Sequence, residues 1–350
     1  MSAVEHPVAL ETPAAAPAAP AQEASALLSR SSAWKPWEFT FWALALAAFF
    51  LLPSKLLLLN DIAILALFVL SIDLLLGYAG IVSLGHAAFF GFGAYAAGLF
   101  AIHVSADPLL GLVAAGLAAG ALGFATSFLV LRGSDLTRLM ITLGVALMLL
   151  EAANRFSFLT GGADGLSGVT MAPVLGLFEF DLWGRTSYLY SLAVLFVLFV
   201  LARLLVHSPF GLSLRAIKGN RLRASAIGIA PNHRLVAIYT IAALYAGVAG
   251  ALLAQTTQFV SLDTLAFHRS ADALLVLVIG GAGYLYGGLI GAVAFKLMHE
   301  VISGLTAQYW LFWLGLILVT LVLVGRERLL AGPRGLLRVA LARLPGRRAP

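Results

Sequence analysis

Read from its amino terminus, the chain is a succession of long apolar runs separated by short polar interruptions. The runs fall at about 39–52, 61–76, 77–100, 108–131, 139–154, 186–206, 235–254, 270–279, 280–303 and 309–324. A helix rises about 1.5 Å per residue, so segments of this size suit the roughly 30 Å hydrocarbon core of a bilayer. The pattern predicts an all-α polytopic membrane protein of about ten transmembrane helices. The longest polar interruption is HSPFGLSLRAIKGNRLRASAIGIAPNHR, residues 207–234. Arg215, Lys218, Arg221, Arg223 and Arg234 exclude it from lipid. Within it, Asn220 is suited to cap a short helix over Arg221–Ile227, Gly228 to end it, and Pro231 to block its continuation. Helical spacing predicts that Leu222, Ala226 and Ile229 share one side of that helix, with the arginines on the other.

Composition supports the pattern. Of 350 residues, 61% are hydrophobic and 11% charged, far from the roughly 25% charged residues of a soluble domain. The balance of 22 Lys and Arg against 16 Asp and Glu gives a net +6. The basic residues gather in a few loops and at the carboxyl end, a distribution that orients a membrane protein rather than one that binds nucleic acid. The absence of cysteine excludes disulfides, thiolate metal sites and cysteine nucleophiles. The expected organisation is a disordered cytoplasmic tail over 1–34, a transmembrane unit over 35–325 and a basic cytoplasmic tail over 326–350. The inner loop is 207–234, and both termini are cytoplasmic.

Two glycine-rich stretches stand out among the apolar runs. The first carries Gly77, Gly80, Ser83, Gly85, His86 and Gly91; the second begins at Gly280 and Gly281. Each either exposes a bare backbone face for close helix packing or breaks the helix to line a cavity. Their rough correspondence suggests a weak internal repeat, the feature that marks the translocation route in transporters. Asp73 is expected to play a structural role, hydrated near an interface, with a place in a substrate pathway as the alternative. His86 beside Ser83 is expected to make a satisfied polar contact, with proton carriage as the alternative. Glu151 and Asn154 share a helical face near the outer end, and Lys296 and Glu300 have the i, i+4 spacing of a pair. The outer loop TGGADGLSG at 160–168 has turn chemistry without the ligand spacing of a calcium loop.

Three functional classes compete for this pattern. An intramembrane enzyme needs a nucleophile with its base, paired acids or metal ligands, and neither H-E-x-x-H nor G-x-S-x-G occurs. A self-powered carrier ordinarily displays charges in mid-span, which are scarce here. A permease driven from outside needs little intramembrane charge and a structured inner docking element, and the 207–234 loop supplies one. A scaffold or channel subunit that needs no ATPase is the remaining alternative.

The motifs GYAGIVSLGHAAFFGFGAY at 77–95, LTGGADGL at 159–166, SPFGLSLRAIKGNRLRASAIGI at 208–229 and ADALLVLVIGGAGYLYGGLIGA at 271–292 carry a specific likeness. With their spacing, they resemble the inner-membrane permeases of the branched-chain amino acid ABC importer family, LivH/LivM, in its LivM type. The resemblance implies that the inner loop couples to an ATPase. Ala224 and Gly228 match the coupling helix, and Pro209, Phe210, Gly211, Arg215 and Ala216 match its lead-in; Asn220, Arg221 and Arg223 belong to the same unit. Arg221 and Arg223 depart from an acidic residue common there. Asp272 stands where the family often has Glu, and near Thr142 an expected acid is missing, with Leu147 in the neighbourhood. With Thr142 and Asp272, the glycine-rich residues make up the candidate translocation pathway. The resemblance further implies ABC ATPase subunits, a homologous second permease subunit, a periplasmic solute-binding protein and surrounding membrane lipid as partners, in a bacterial inner membrane. No cofactor is expected, because no G-x-x-x-x-G-K-[ST] phosphate loop occurs and ATP would be held by partners. Related solutes such as urea, short amides and small organic acids are alternative cargoes.

Overall fold

A computed structural model describes residues 34–181 and 183–305, together with 309, 312, 313, 315, 316 and 319. The amino-terminal tail before Trp34, the basic carboxyl-terminal tail and most of the span expected at 309–324 lie outside the described residues. Among these residues the chain is helical, with two isolated β-bridges, Leu166 to Val260 and Val174 to Phe178, and no strand. Its helices are α1 (Pro36–Leu51), α2 (Leu56–Ile72), α3 (Ala87–His103), α4 (Pro108–Val130), α5 (Asp135–Arg155), α6 (Ser157–Thr160) and α7 (Arg185–His207). These are followed by α8 (Pro209–Gly219), α9 (Arg221–Ala226), α10 (Pro231–Thr257), α11 (Phe267–Gly280) and α12 (Leu285–Leu305). A wide turn, Asp73–Tyr78, extends α2. Six helical segments are long and apolar enough to cross a bilayer, and α1 and α3 are shorter apolar helices. The chain is thus a multi-pass helical membrane protein.

Local chemistry sets the helix ends. Asp107 accepts from the backbone N–H of Leu109 at 2.8 Å and of Leu110 at 3.3 Å, and Pro108 occupies the first helical position, where no donor is lost. Asn220 caps α9 through an Oδ1 that accepts from Arg223 N at 2.9 Å. Gly228, at φ +88°, ends that turn as the sequence predicts. The predicted sidedness of α9 is wrong. Leu222 is 83% exposed, Ala226 is exposed too, and Ala224 is the buried residue, so the helix rests on its Ala224 face.

The core is organised on α2 and α10, the two most enclosed spans, with α3, α4, α7 and α12 around them. Where α3, α4 and α10 meet, backbones approach closely: a Cβ on Gly93 would lie 2.3 Å from the Gly247 carbonyl oxygen. Without a hydrophobic force between helices in lipid, such small-residue contact is what packs them. Polar pins fix the rest. Gln255 donates to the Pro108 carbonyl at 2.7 Å and accepts from the Tyr190 hydroxyl at 2.9 Å. Glu38 on α1 and Arg203 on α7 form a buried ion pair at 2.5 Å.

The expected Lys296 to Glu300 pair does not form. Each reaches a neighbouring segment instead, Lys296 to Asp61 at 3.2 Å and Glu300 to Lys55 at 2.5 Å. Across-helix partners present a fixed opposite charge, so they prevail over a pairing along one helix.

Candidate functional site

The stretch 77–100 is not one helix. After Tyr78 the chain runs irregularly through Ala79–His86 before α3 begins. A second interruption, Gly281–Tyr284, separates α11 from α12, with Gly281 at φ +97° and Gly283 at φ +81°. The two breaks meet. The Gly283 N–H donates to Asp73 Oδ1 at 2.7 Å, and a Cβ on Gly77 would lie 2.1 Å from that same oxygen and 2.5 Å from Gly283 N. Only glycine fits there. Asp73 is fully buried, so the expected interfacial hydration is absent, and a backbone donor from the other break satisfies one of its oxygens.

The inner loop closes onto this meeting point. It folds as α8 and α9, and Arg215 and Lys218, three residues apart on α8, face the first break together. Lys218 Nζ donates to the Gly77 carbonyl at 2.6 Å, satisfying an acceptor that the broken helix leaves free. The Arg215 guanidinium lies 5.3 Å from the centre of the Tyr78 ring. Gly80, at φ +74°, packs against the Lys218 stem, where an added Cβ would sit 3.0 Å from Cγ. Lys218, Asp73, Tyr78 and Gly283 were not singled out as site residues from sequence. The spacing of Arg215 and Lys218 was the available signal.

The remaining loop residues form the frame. Pro209 starts α8, and Gly211 packs where a Cβ would overlap the Val206 carbonyl. Phe210 lies under Arg234 at 5.4 Å, and Ala216 is half-buried. Arg221 donates to Asn232 at 2.5 Å, whereas Arg223 is exposed.

A second cluster holds the far end of the first break. His86 is buried, and its Nε2 lies 2.9 Å from Ser71 Oγ. The Ser71 hydroxyl donates to the Phe68 carbonyl at 2.5 Å, so Nε2 carries the proton and Nδ1 faces inward as an acceptor with no protein partner. The expected polar contact of His86 is therefore made on one nitrogen only. Ser83 Oγ is buried and likewise without a protein partner. The Leu84 N–H donates to Thr142 Oγ1 at 3.3 Å, a Cβ on Gly85 would overlap the Thr142 carbonyl, and Ala87 N–H donates to Ser270 Oγ at 2.7 Å. Thr142 and Gly85 are thus brought together. Gly91 is apart from them, against Leu265.

Asp272 lies elsewhere again. It lines a cavity of about 660 Å³ with Asp61, His268, Arg269, Lys296 and His299, at the end of the bundle opposite α8 and α9. Gly280 packs on the Gly287 carbonyl inside the α11–α12 hairpin. Glu151 and Asn154 are both exposed. Among the described residues no group of three or more His, Asp or Glu is placed to hold a metal ion.

A helical membrane core broken twice, with a basic loop against the turn that leads into the first break and Asp73 of that turn bonded to the second, is an arrangement found in transporters. Comparison with known proteins makes this specific: residues 55–324 match the family described as branched-chain amino acid transport system, permease component, and the chain belongs to that family. It is 28% identical over 306 residues to the high-affinity branched-chain amino acid transport system permease protein LivM of Salmonella typhimurium, covering 80% of this chain and 71% of that protein. The LivM protein of Escherichia coli matches with the same identity and coverage. The ribose import permease protein RbsC of Bacillus subtilis is 28% identical over 171 residues, 45% of this chain and 53% of that protein. No solved structure matches.

Proposed function

We propose that this chain is the membrane-spanning subunit of an ATP-driven importer for branched-chain amino acids. The observation that carries the reading is the junction of Lys218, Gly77, Asp73 and Gly283, where the 207–234 loop holds the turn that leads into the first helix break and that turn, through Asp73, holds the second. The LivM likeness spans most of the chain, whereas the ribose-permease likeness spans less than half, which favours amino acids over sugars as cargo. Urea and short amides remain alternative cargoes of the same architecture.

On this reading the chain crosses the bilayer ten times with both termini in the cytoplasm. Nine passes are α1, α2, α3, α4, α5, α7, α10, α11 and α12, and the tenth is the segment expected near 309–324. Lys35, Arg132, Arg215, Lys218, Arg221, Arg223 and Arg234 share the end that carries α8 and α9, which the positive-inside rule assigns to the cytoplasm. There α9 docks on an ATPase subunit. The sparsely covered α5 suits contact with a second permease subunit, and the opposite end receives a solute-binding protein.

The residues then have distinct tasks. Closure of the ATPase pair displaces α9, α8 follows, and Lys218 with Arg215 carries the displacement to Gly77 and Tyr78. Asp73 passes it to Gly283, so both breaks tilt together and access alternates between the two sides. The chain performs no covalent step.

Vesicles containing this chain, its ATPase and permease partners and the binding protein are expected to accumulate labelled leucine, isoleucine or valine only with ATP. ATP-dependent accumulation of urea or an amide with none of leucine would overturn the cargo. Accumulation without any ATPase would overturn the coupling.

A further inference from the structure

A cavity of about 1,020 Å³ lies between the last turns of α4 and the first turns of α10, at the end of the bundle that carries α8 and α9. Its wall is apolar, with Phe124 and Phe128 about half exposed on α4 and Val236, Ala237 and Ile241 facing them from α10. The hydroxyls in the wall are already used within their own helices, Ser127 on the Phe124 carbonyl at 2.6 Å and Thr240 on the Val236 carbonyl at 2.9 Å. The polar groups are gathered at one rim: Arg132, Arg221, Asn232 and His233.

No carboxylate lines this groove. Arg132 and His233 have no ion-pair partner among the described residues, and Arg221 is held only by the neutral oxygen of Asn232 at 2.5 Å. Asp135, on the adjoining turn, is occupied by Arg138 at 2.8 Å. Two guanidinium groups therefore converge above an apolar slot with their charge uncompensated, and an imidazole stands beside them. Since α4 and α10 are both apolar enough to span a membrane, a slot between them would open toward lipid tails and set its basic rim at headgroup depth.

We propose that this groove is a binding site for an anionic phospholipid. An acyl chain lies between Phe124, Phe128 and Ile241, and the phosphate is taken by Arg132 and Arg221, with His233 donating a further hydrogen bond. Guanidinium groups bind phosphate through paired donors, and a zwitterionic lipid would place its own cation against the same arginines. Because Arg221 also opens α9, the bound lipid tethers the coupling helix to the membrane surface. The proposal is independent of the cargo.

The test uses the full chain, with whatever subunits co-purify, offered an equimolar mixture of phosphatidylglycerol and phosphatidylcholine, with retained lipid read by native mass spectrometry. The wild type is expected to retain phosphatidylglycerol over phosphatidylcholine by roughly tenfold, equivalent to about 1.4 kcal/mol. The double variant Arg132→Gln, His233→Gln, which leaves Arg221 in place, is expected to lose most of that preference. Parity in the wild type, or an unchanged preference in the variant, would overturn the site. As a check that does not depend on the variant's folding, p-benzoylphenylalanine at position 128 is expected to crosslink phospholipid. A crosslink to a second permease or an ATPase subunit would show that protein covers the groove, and the proposal would fall.

Discussion

The two helix breaks touch each other but are built differently. The break at Ala79–His86 is long and is held mainly by polar contacts from other elements: Lys218 of α8, Thr142 of α5, Ser71 of α2 and Ser270 at the start of α11. The break at Gly281–Tyr284 is short and tight. It is held by backbone against backbone, with Gly280 packed on the Gly287 carbonyl and Gly291 on the Val276 carbonyl, and by one side-chain acceptor, Asp73. Hydrogen bonds to side chains can be exchanged as segments move, whereas glycine-to-carbonyl packing tolerates no intruding atom. The Lys218 end of the first break is therefore the compliant element that receives the displacement, whereas its far end, where Gly85 packs on the Thr142 carbonyl, and the second break are stiff corners that turn with it.

This contrast ranks the substitutions. Gly280→Ala, which would drive a methyl group into the Gly287 carbonyl, should have the largest effect. A stability loss of about 3 kcal/mol or more, read as a fall in melting temperature and in the yield of folded protein, is expected. Next is Gly77→Ala, where the breaks meet; uptake should fall by more than tenfold while the lost stability is smaller, about 2 kcal/mol, since the Asp73 carboxylate is able to shift although the Gly283 backbone nitrogen, 2.5 Å from the added Cβ, is not. A greater stability loss for Gly77→Ala than for Gly280→Ala would reverse the assignment of stiff and compliant breaks.

Lys218→Met should come third. It removes a charge-assisted hydrogen bond worth about 2 kcal/mol and leaves the Gly77 carbonyl without its donor. The expected result is several-fold less solute moved per ATP hydrolysed, with ATPase association intact and partial recovery in Lys218→Arg. Reduced ATPase association would instead make Lys218 a docking residue. Smallest is Ser71→Ala, which strips His86 Nε2 of its acceptor; about 1 kcal/mol of stability is expected to be lost, with uptake within twofold of wild type. A tenfold loss of uptake there would move the functional centre from the Lys218 end of the first break to the His86 end.

Much of this was legible in the sequence because the relevant signals are local. The cap at Asn220 and the stop at Gly228 follow from residue chemistry within four positions, and both are as expected. The glycine-rich runs announced an interruption or a close approach, and both occur. What the sequence left hidden depends on contacts far apart in the chain. Nothing near Asp73 announces that its partner is Gly283, and nothing near Lys218 points to Gly77. Lys296 and Glu300 show the opposite failure, a sound local pairing displaced by Asp61 and Lys55 on other segments. The exposed Leu222 on α9 was misjudged for a similar reason, since a six-residue helix is oriented by what it docks on rather than by its own hydrophobicity.

The central claim, that α8 and the first break move as one piece, has a direct test because the chain contains no cysteine. A Cβ built on Gly80 lies 3.6 Å from Lys218 Cβ, within the roughly 3.5–4.5 Å that a disulfide spans. In the double variant Gly80→Cys, Lys218→Cys, the reduced protein lacks the lysine link and should transport poorly. Oxidation should replace that link with a covalent one and restore uptake per ATP hydrolysed, and reductant should abolish it again. If the disulfide forms and uptake stays low or falls further, α8 must slide against the break during transport, and the account is contradicted.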